Sequence, residues 1–133
     1  MQPLRKLLKS KIHRAKVTHA DIDYEGSITL SPTLMAAADI AEYEAVQIWN
    51  LSSATRFETY VITGEENTSD IAINGAAAHL AKPGDLVIVA CFINLADTAL
   101  SEHKPKLIFV DDDNQISHTG PELAGPQKRL ANS

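Results

Sequence analysis

The residues in this sequence best suited to chemistry are a glycine and the serine that follows it, Gly26-Ser27, within a polar segment typical of a turn. Such a pair is common in turns and usually has no chemical role. The serine hydroxyl can nevertheless attack the glycine carbonyl and move the acyl group from nitrogen to oxygen. The resulting ester can eliminate to dehydroalanine, which hydrolyses to a pyruvoyl group. Because glycine lacks Cβ, we expect Gly26 to supply both an approachable carbonyl and a strained backbone.

Cleavage at this bond would divide the chain into a short chain, 1–26, and a long chain, 27–133, that begins with a ketone. A ketone at a chain terminus can form a Schiff base with an amine substrate. It can then withdraw electrons as pyridoxal phosphate does, without a separate cofactor. The dipeptide therefore predicts a self-processing site only if the rest of the sequence supports one.

The elements that must position this site are short strands separated by turns. Strands are predicted over residues 17–20, 28–30, 44–50, 56–62, 70–74, 86–94 and 106–110. Ser31 and Pro32 predict the N-cap and first residue of a helix, and Gly75 opens a single alanine-rich helical turn. Turn signals that recur about every 8–12 residues favour a small closed barrel. Charge, Gly and Pro predict a loose tail over residues 111–133.

The overall composition excludes several classes of protein. The chain has 133 residues, which suits a single domain with one core. Its formal net charge of −5 argues against nucleic acid as a partner. No apolar run approaches the roughly 20 residues of a membrane span, and no apolar segment of a secretion signal follows the basic N-terminus. The histidines are dispersed without metal-like spacing, so no metal is expected.

The only cysteine, Cys91, lies in an apolar run. A disulfide framework within one chain is therefore impossible, and a reducing cytoplasm is the simplest setting. Burial among apolar side chains suppresses the thiolate, so we expect Cys91 to be inert.

Five blocks of sequence resemble the bacterial aspartate 1-decarboxylases, which depend on a pyruvoyl group. The blocks are KIHRAKVTHA at 11–20, YEGS at 24–27, IWN at 48–50, RFETY at 56–60 and NGAAA at 74–78. The resemblance implies a mainly β fold, a small double-psi β-barrel with short helices, in a homotetramer. It also implies a self-processing lyase that converts L-aspartate to β-alanine and CO2 for pantothenate (coenzyme A) biosynthesis. Whether a maturation factor assists the cleavage stays open.

The same resemblance assigns roles to individual residues. Ser27 becomes the pyruvoyl group that holds the substrate, and Tyr60 donates the proton. Contacts with the substrate are assigned to six residues: Thr59, Gly75, Ala76, Ala77, Arg56 and Lys11. Supporting positions are assigned to three more: His13, Tyr24 and Asn74.

The chemistry of aspartate agrees with part of this assignment. Loss of the α-carboxylate leaves a carbanion that needs a proton, while a fixed cation must hold the other carboxylate. Arg56 offers a planar fork for carboxylate, and the phenol of Tyr60 can donate to a strongly basic carbanion. Alternation along a strand places these two side chains on one face and Thr59 on the other. Thr59 can then serve the same site only at a sheet edge or subunit seam, or by acting on the backbone near the cut.

Two other functions stay open at this point. An uncleaved small β-barrel would be a binding module, and an N-terminal-nucleophile hydrolase would keep a free amine on Ser27 and attack acyl groups. The three functions differ in whether the chain is cut and in how the long chain begins.

Overall fold

Nine strands pair into one sheet in the computed structural model, which describes residues 2–125. The strands are β1 Leu4–Lys16, β2 His19–Asp21, β3 Ser27–Leu30, β4 Ala45–Asn50, β5 Arg56–Thr63, β6 Ala72–Asn74, β7 Leu86–Ala96, β8 Lys106–Val110 and β9 Ile116–Gly120. The helices are α1 Pro32–Ala38 and two 3₁₀ turns, Gly75–His79 and Asp97–Glu102.

Neighbouring strands in this sheet are often distant in sequence. The order is β2-β6-β3-β5-β4-β7-β1-β8-β9, with parallel pairs β1–β8, β2–β6 and β3–β5 among antiparallel ones. Parallel neighbours need crossover connections, which the short helices and loops supply. The prediction of a mainly β architecture with short helices is confirmed, and the sheet is consistent with the expected small double-psi barrel.

The core is made of aliphatic side chains from all parts of the sheet. Those with no exposed surface include Ile12, Ile28, Ile48, Val61 and Val89. Burial of each such side chain contributes about 1.5–3 kcal/mol relative to exposure, so the long-range pairing is held by apolar packing. This packing fixes both β3 and β5, the strands that carry the candidate site.

Helix α1 begins as predicted. The Ser31 hydroxyl accepts a hydrogen bond from the Leu34 N–H at 3.2 Å, and Pro32 occupies the first turn. The helix ends at Asp39, which has a φ of +55°. This short helix connects β3 to β4.

At the ends of the chain one strand was missed and one prediction was wrong. β1, the longest strand, was missed because its many Lys and Arg residues hide a short buried set of Ser10, Ile12 and Ala15. It forms because it pairs with both β7 and β8. The tail predicted to be loose over 111–133 contains β9, which pairs antiparallel with β8. Residues 126–133 lie outside the described residues.

A buried asparagine ties the two ends of the sheet together. Asn114 lies in the β8–β9 turn with a φ of +59°. Its Nδ2 donates to the carbonyls of Lys16 (2.8 Å) and Ser69 (2.7 Å), and its Oδ1 accepts from the Lys16 N–H (2.7 Å). Because Lys16 ends β1 and Ser69 precedes β6, this side chain joins opposite ends of the strand order.

Candidate active site

Ser27 starts β3 in a conformation that serine rarely adopts. Its φ is +131°, and only 2% of the residue is exposed. A non-glycine residue in such a region costs of order 1–3 kcal/mol, which the surrounding structure must offset. Gly26 does not have a positive φ, and a Cβ built on it would meet nothing within 4 Å. The backbone strain expected at Gly26 therefore lies at Ser27, which pairs with Asn74 on β6 one residue before β3 also pairs with β5.

The side chain of Asn74 holds the Ser27 hydroxyl. The two residues are paired between β3 and β6, and Asn74 Nδ2 donates to Ser27 Oγ at 3.3 Å. The same Nδ2 also reaches Thr29 Oγ1 at 3.4 Å. Thr29 was not singled out from the sequence, although its position two residues after Ser27 on a strand is a signal for a shared face. The supporting position predicted for Asn74 thus has a direct contact with the serine.

The helical turn predicted at Gly75 is confirmed, and it packs against the segment before Ser27. Gly75 is buried with a φ of +71°. An ideal Cβ on it would lie 2.7 Å from Gly26 Cα and 3.1 Å from the Tyr24 carbonyl oxygen. Ala76 is exposed and Ala77 is half-buried in the same turn. The fold therefore brings the predicted Gly75–Ala77 segment to the Gly26-Ser27 bond.

Tyr60 lies on β5 at the level of Ser27. It comes one residue before Val61, which pairs in parallel with Ile28, so the two backbones are roughly 5 Å apart across the strands. Tyr60 is 38% exposed, and its ring centroid lies 6.5 Å from that of Tyr43. The predicted alternation along β5 is confirmed, because Tyr60 is exposed while Thr59 is half-buried on the other face.

Arg56 shares the face of Tyr60 but lies at the start of β5, four residues earlier. The four intervening steps correspond to roughly 13 Å. The guanidinium carbon of Arg56 stacks over Trp49, 4.7 Å from the ring centroid. A shallow cavity of about 310 Å³ beside this pair is also lined by Lys6, Gln47 and Phe92. Arg56 therefore lies on the exposed face of β5 with its guanidinium directed toward β4, away from Ser27 on β3.

Lys11 is also remote from β5 within the sheet. It pairs with Ala90 on β7, which pairs with Gln47 on β4, which pairs with Glu58 on β5. Three strand spacings separate Lys11 from β5, roughly 14 Å along the sheet. The Lys11 ammonium pairs with the carboxylate of Glu122, a partner that the sequence did not indicate.

His13 lies two residues after Lys11 on β1 and pairs with Phe109 on β8. Its ring meets Phe109 edge-on with centroids 5.5 Å apart, and Phe109 stacks on His118 at 4.4 Å. The structure thus gathers Ser27 with Asn74 and Gly75, close to Tyr60. Arg56 lies four residues before Tyr60 on β5, and Lys11 and His13 lie on β1.

A second polar cluster, which the sequence did not indicate, surrounds the cysteine. Glu44 Oε2 accepts hydrogen bonds from Lys9 Nζ (2.7 Å) and Cys91 Sγ (3.0 Å), and Glu44 Oε1 accepts from the Ala41 N–H (2.9 Å). Burial, followed by the adjacent Glu44 carboxylate, raises the pKa of Cys91 to about 12. The prediction of a buried thiol is confirmed, and the raised pKa supports the prediction that it is inert.

The same carboxylate is held in its ionised form. Burial alone would raise the pKa of Glu44, but the hydrogen bonds from Ala41, Lys9 and Cys91 outweigh it and lower that pKa below its ordinary value. Burial alone would lower the pKa of Lys9, and the Glu44 carboxylate outweighs it and raises that pKa. This cluster joins β1, β7 and the start of β4.

Residues 2–125 contain neither a candidate membrane-spanning helix nor a candidate metal site. No helix among them is both long and apolar enough to cross a membrane. In the same range, no group of three or more His, Cys, Asp or Glu side chains is arranged to hold a metal ion.

The barrel and its strained junction define a class: a small mainly β protein with a buried serine, held by an asparagine, directly after a glycine. A family model described as aspartate decarboxylase matches residues 3–117. The chain is 55% identical to the aspartate 1-decarboxylase of Legionella pneumophila over 128 residues, 96% of each chain. It is 54% identical to that of Rhodopirellula baltica, over 96% of this chain and 81% of the relative. It is 52% identical to that of Myxococcus xanthus, over 96% of this chain and 98% of the relative. The chain therefore belongs to the aspartate decarboxylase family.

Proposed function

We propose that this chain is a self-processing lyase that decarboxylates L-aspartate to β-alanine and CO2, in support of pantothenate biosynthesis. The observation that carries the proposal is the buried Ser27 with its φ of +131°, in a chain of the aspartate decarboxylase family. The relatives named above are each called aspartate 1-decarboxylase, which supports aspartate as the substrate.

Self-processing follows from the groups at the junction. Ser27 Oγ bonds to the Gly26 carbonyl carbon and the Gly26–Ser27 amide bond breaks, which converts the amide to an ester. Elimination releases the Gly26 carboxylate, ending chain 1–26, and leaves dehydroalanine at position 27. Water then displaces ammonia and leaves a pyruvoyl group at the start of chain 27–133. The hydrogen bond from Asn74 to Ser27 Oγ and the strained Ser27 backbone both support this sequence of steps.

The pyruvoyl group supplies an electrophile for the substrate amine and a sink for electrons. Tyr60 is the proton donor of this proposal, since its backbone lies level with Ser27 and its side chain is partly exposed. The backbone of Gly75, Ala76 and Ala77 and the side chain of Thr59 are proposed to contact the substrate. Tyr24, two residues before Gly26, is proposed to support cleavage of the Gly26–Ser27 bond.

The cations lead to a proposal about assembly. The backbones at Tyr60 and Arg56 are roughly 13 Å apart along β5. The Arg56 guanidinium stacks over Trp49 on β4, on the side of β5 away from β3, so it is turned away from Ser27. Lys11 is similarly distant across the sheet. We therefore infer that a neighbouring copy brings Arg56 or Lys11 to each cut site, within a homotetramer. The exposed surface around Trp49 and Arg56 is rich in the residue types that anchor protein interfaces, which supports this inference.

Intact-mass spectrometry under denaturing conditions tests the cleavage. The purified, incubated chain should give fragments 1–26 and 27–133, with the long fragment blocked to N-terminal sequencing. The matched control is Ser27→Ala, which should stay uncut and folded. One intact chain in the wild type would favour a binding module, and a long fragment with a free amine would favour an N-terminal-nucleophile hydrolase. Cleavage of the purified chain alone also decides whether a maturation factor is required.

Complementation between variants tests the shared site. Ser27→Ala removes the pyruvoyl group, and Arg56→Ala removes a cation, so each variant should be inactive alone. Co-expression in one cell should restore part of the β-alanine production if Ser27 and Arg56 act from different copies. The same design with Lys11→Ala identifies which cation crosses the interface. Absence of any restoration with both cation variants would contradict the shared site.

A cytoplasmic setting is part of the proposal. It rests on the single cysteine, whose buried and protonated thiol has no disulfide partner within the sequence.

A further inference from the structure

We propose that Gly75 is a positioning residue for self-cleavage, because its missing side chain lets the segment before Ser27 approach β6. The inference rests on the proposed cut between Gly26 and Ser27. It gives Gly75 a role in the precursor, before any substrate binds.

The contacts of Gly75 leave no room for a methyl group. An ideal Cβ would lie 2.7 Å from Gly26 Cα, 2.9 Å from Gly26 N and 3.1 Å from the Tyr24 carbonyl oxygen. All three neighbours are backbone atoms, so no side chain can rotate away to make space. Gly75 also has a φ of +71°, which glycine adopts without penalty. A side chain at this position must displace either the scissile segment or the turn itself.

The position of Gly75 in the chain connects both reacting groups. Asn74, the preceding residue, donates to the Ser27 hydroxyl that attacks. Gly75 itself contacts Gly26, whose carbonyl is attacked. A shift of the Gly26 backbone relative to Asn74 would therefore separate nucleophile from carbonyl. Misplacement by about 1 Å can cost on the order of a hundredfold in rate.

Gly84 offers a matched control. It has a similar requirement for a positive φ, at +93°, but a Cβ built on it would meet nothing within 4 Å. Gly84→Ala therefore introduces backbone strain without a collision, whereas Gly75→Ala introduces both. Comparison of the two variants isolates the contact with Gly26.

The experiment measures the rate of cleavage by intact mass for the wild type, Gly75→Ala and Gly84→Ala. We expect Gly75→Ala to slow cleavage by roughly tenfold or more and Gly84→Ala to slow it by less than about threefold. Thermal unfolding of both substitutions is measured in the uncleavable Ser27→Ala background, where we expect both variants to fold, with a lower midpoint for Gly75→Ala because of its collision. Equal cleavage rates for the wild type and Gly75→Ala would overturn the inference, as would equal slowing by both substitutions. It would also be overturned if Gly75→Ala failed to fold in the Ser27→Ala background, because Gly75 would then be a folding requirement. A wild type that stays uncut would instead refute the proposed function.

Discussion

Replacing alanine by glycine at position 27 should stabilise the fold more than the same replacement at an ordinary buried serine position. Ser27→Ala and Ser27→Gly both remove the hydroxyl, so neither should cleave, but only alanine keeps the Cβ that makes a φ of +131° unfavourable. The strain amounts to about 1–3 kcal/mol. Against this gain, exchange of Ala for Gly within a strand costs roughly 0.5–1 kcal/mol of unfolded-state entropy.

Ser10 provides the reference for that ordinary cost. It is fully buried in β1 and does not have a positive φ. The change in unfolding free energy from Ala to Gly at Ser27, minus the same change at Ser10, should therefore favour glycine at Ser27 by about 1–3 kcal/mol. This double difference removes both the entropy of glycine and the loss of a buried methyl group.

Urea unfolding followed by circular dichroism measures these four variants, with the two Ser10 substitutions made in the uncleavable Ser27→Ala background. All are compared at one protein concentration, because subunit association stabilises the folded state by mass action. Intact mass verifies that the Ser27 variants are uncut. If the two sites give equal Ala-to-Gly differences, Ser27 carries no backbone strain and the reasoning about its conformation is wrong.

Three further predictions concern the rest of the barrel. Iodoacetamide at about pH 8 should label Cys91 at least about a hundredfold more slowly in the folded than in the urea-unfolded chain, because burial raises its pKa to about 12; comparable rates would refute this. Glu44→Gln should lose about 1–2 kcal/mol at neutral pH, measured by urea unfolding, since Lys9 stays half-buried without its carboxylate. The folded-state pKa of Glu44 lies below its ordinary 4.5, so the stability that its ionised carboxylate contributes is present above pH 4.5 and is lost as pH falls through the folded pKa. The free energy of unfolding of Glu44→Gln should therefore depend less on pH in this acid range than that of the wild type. An unchanged pH dependence would contradict the ionised state assigned to Glu44. Asn114→Ala should lower the free energy of unfolding by about 2–3 kcal/mol in the same assay, because the three hydrogen bonds of this buried side chain are lost. A loss below about 0.5 kcal/mol would show that these hydrogen bonds do not hold the fold together.

Local signals predicted the elements that carry their own apolar pattern. The strands at 44–50, 56–62, 86–94 and 106–110 match β4, β5, β7 and β8 to within two residues, and the Ser31-Pro32 start of α1 is confirmed. β1 was missed because its partners lie far along the chain, and β9 was missed because its exposed polar residues carry no apolar pattern. β1 lies between β7 and β8, and β9 is largely exposed along β8.

The candidate site was only partly predictable for the same reason. Alternation along β5 was enough to place Arg56 and Tyr60 on one face, but it gave no sign that Arg56 would stack on Trp49 of the neighbouring strand β4. The ion pair between Lys11 and Glu122 joins residues that no periodicity relates. Such separations depend on how strands are ordered in the sheet, which a pattern within each strand does not encode.

The geometry at Ser27 is a product of the complete fold, and this constrains when the chain can process itself. The positive φ of Ser27 exists because β3 is held between β5 and β6, and the asparagine that contacts its hydroxyl comes from β6. In an unfolded chain nothing offsets a cost of about 1–3 kcal/mol, so Ser27 would relax to an ordinary conformation and lose its Asn74 contact. β6 also follows β3 by more than forty residues, so this pairing requires long-range closure. The proposed cleavage is therefore expected to follow folding, and the cut would mark chains in which β3 and β6 have already paired.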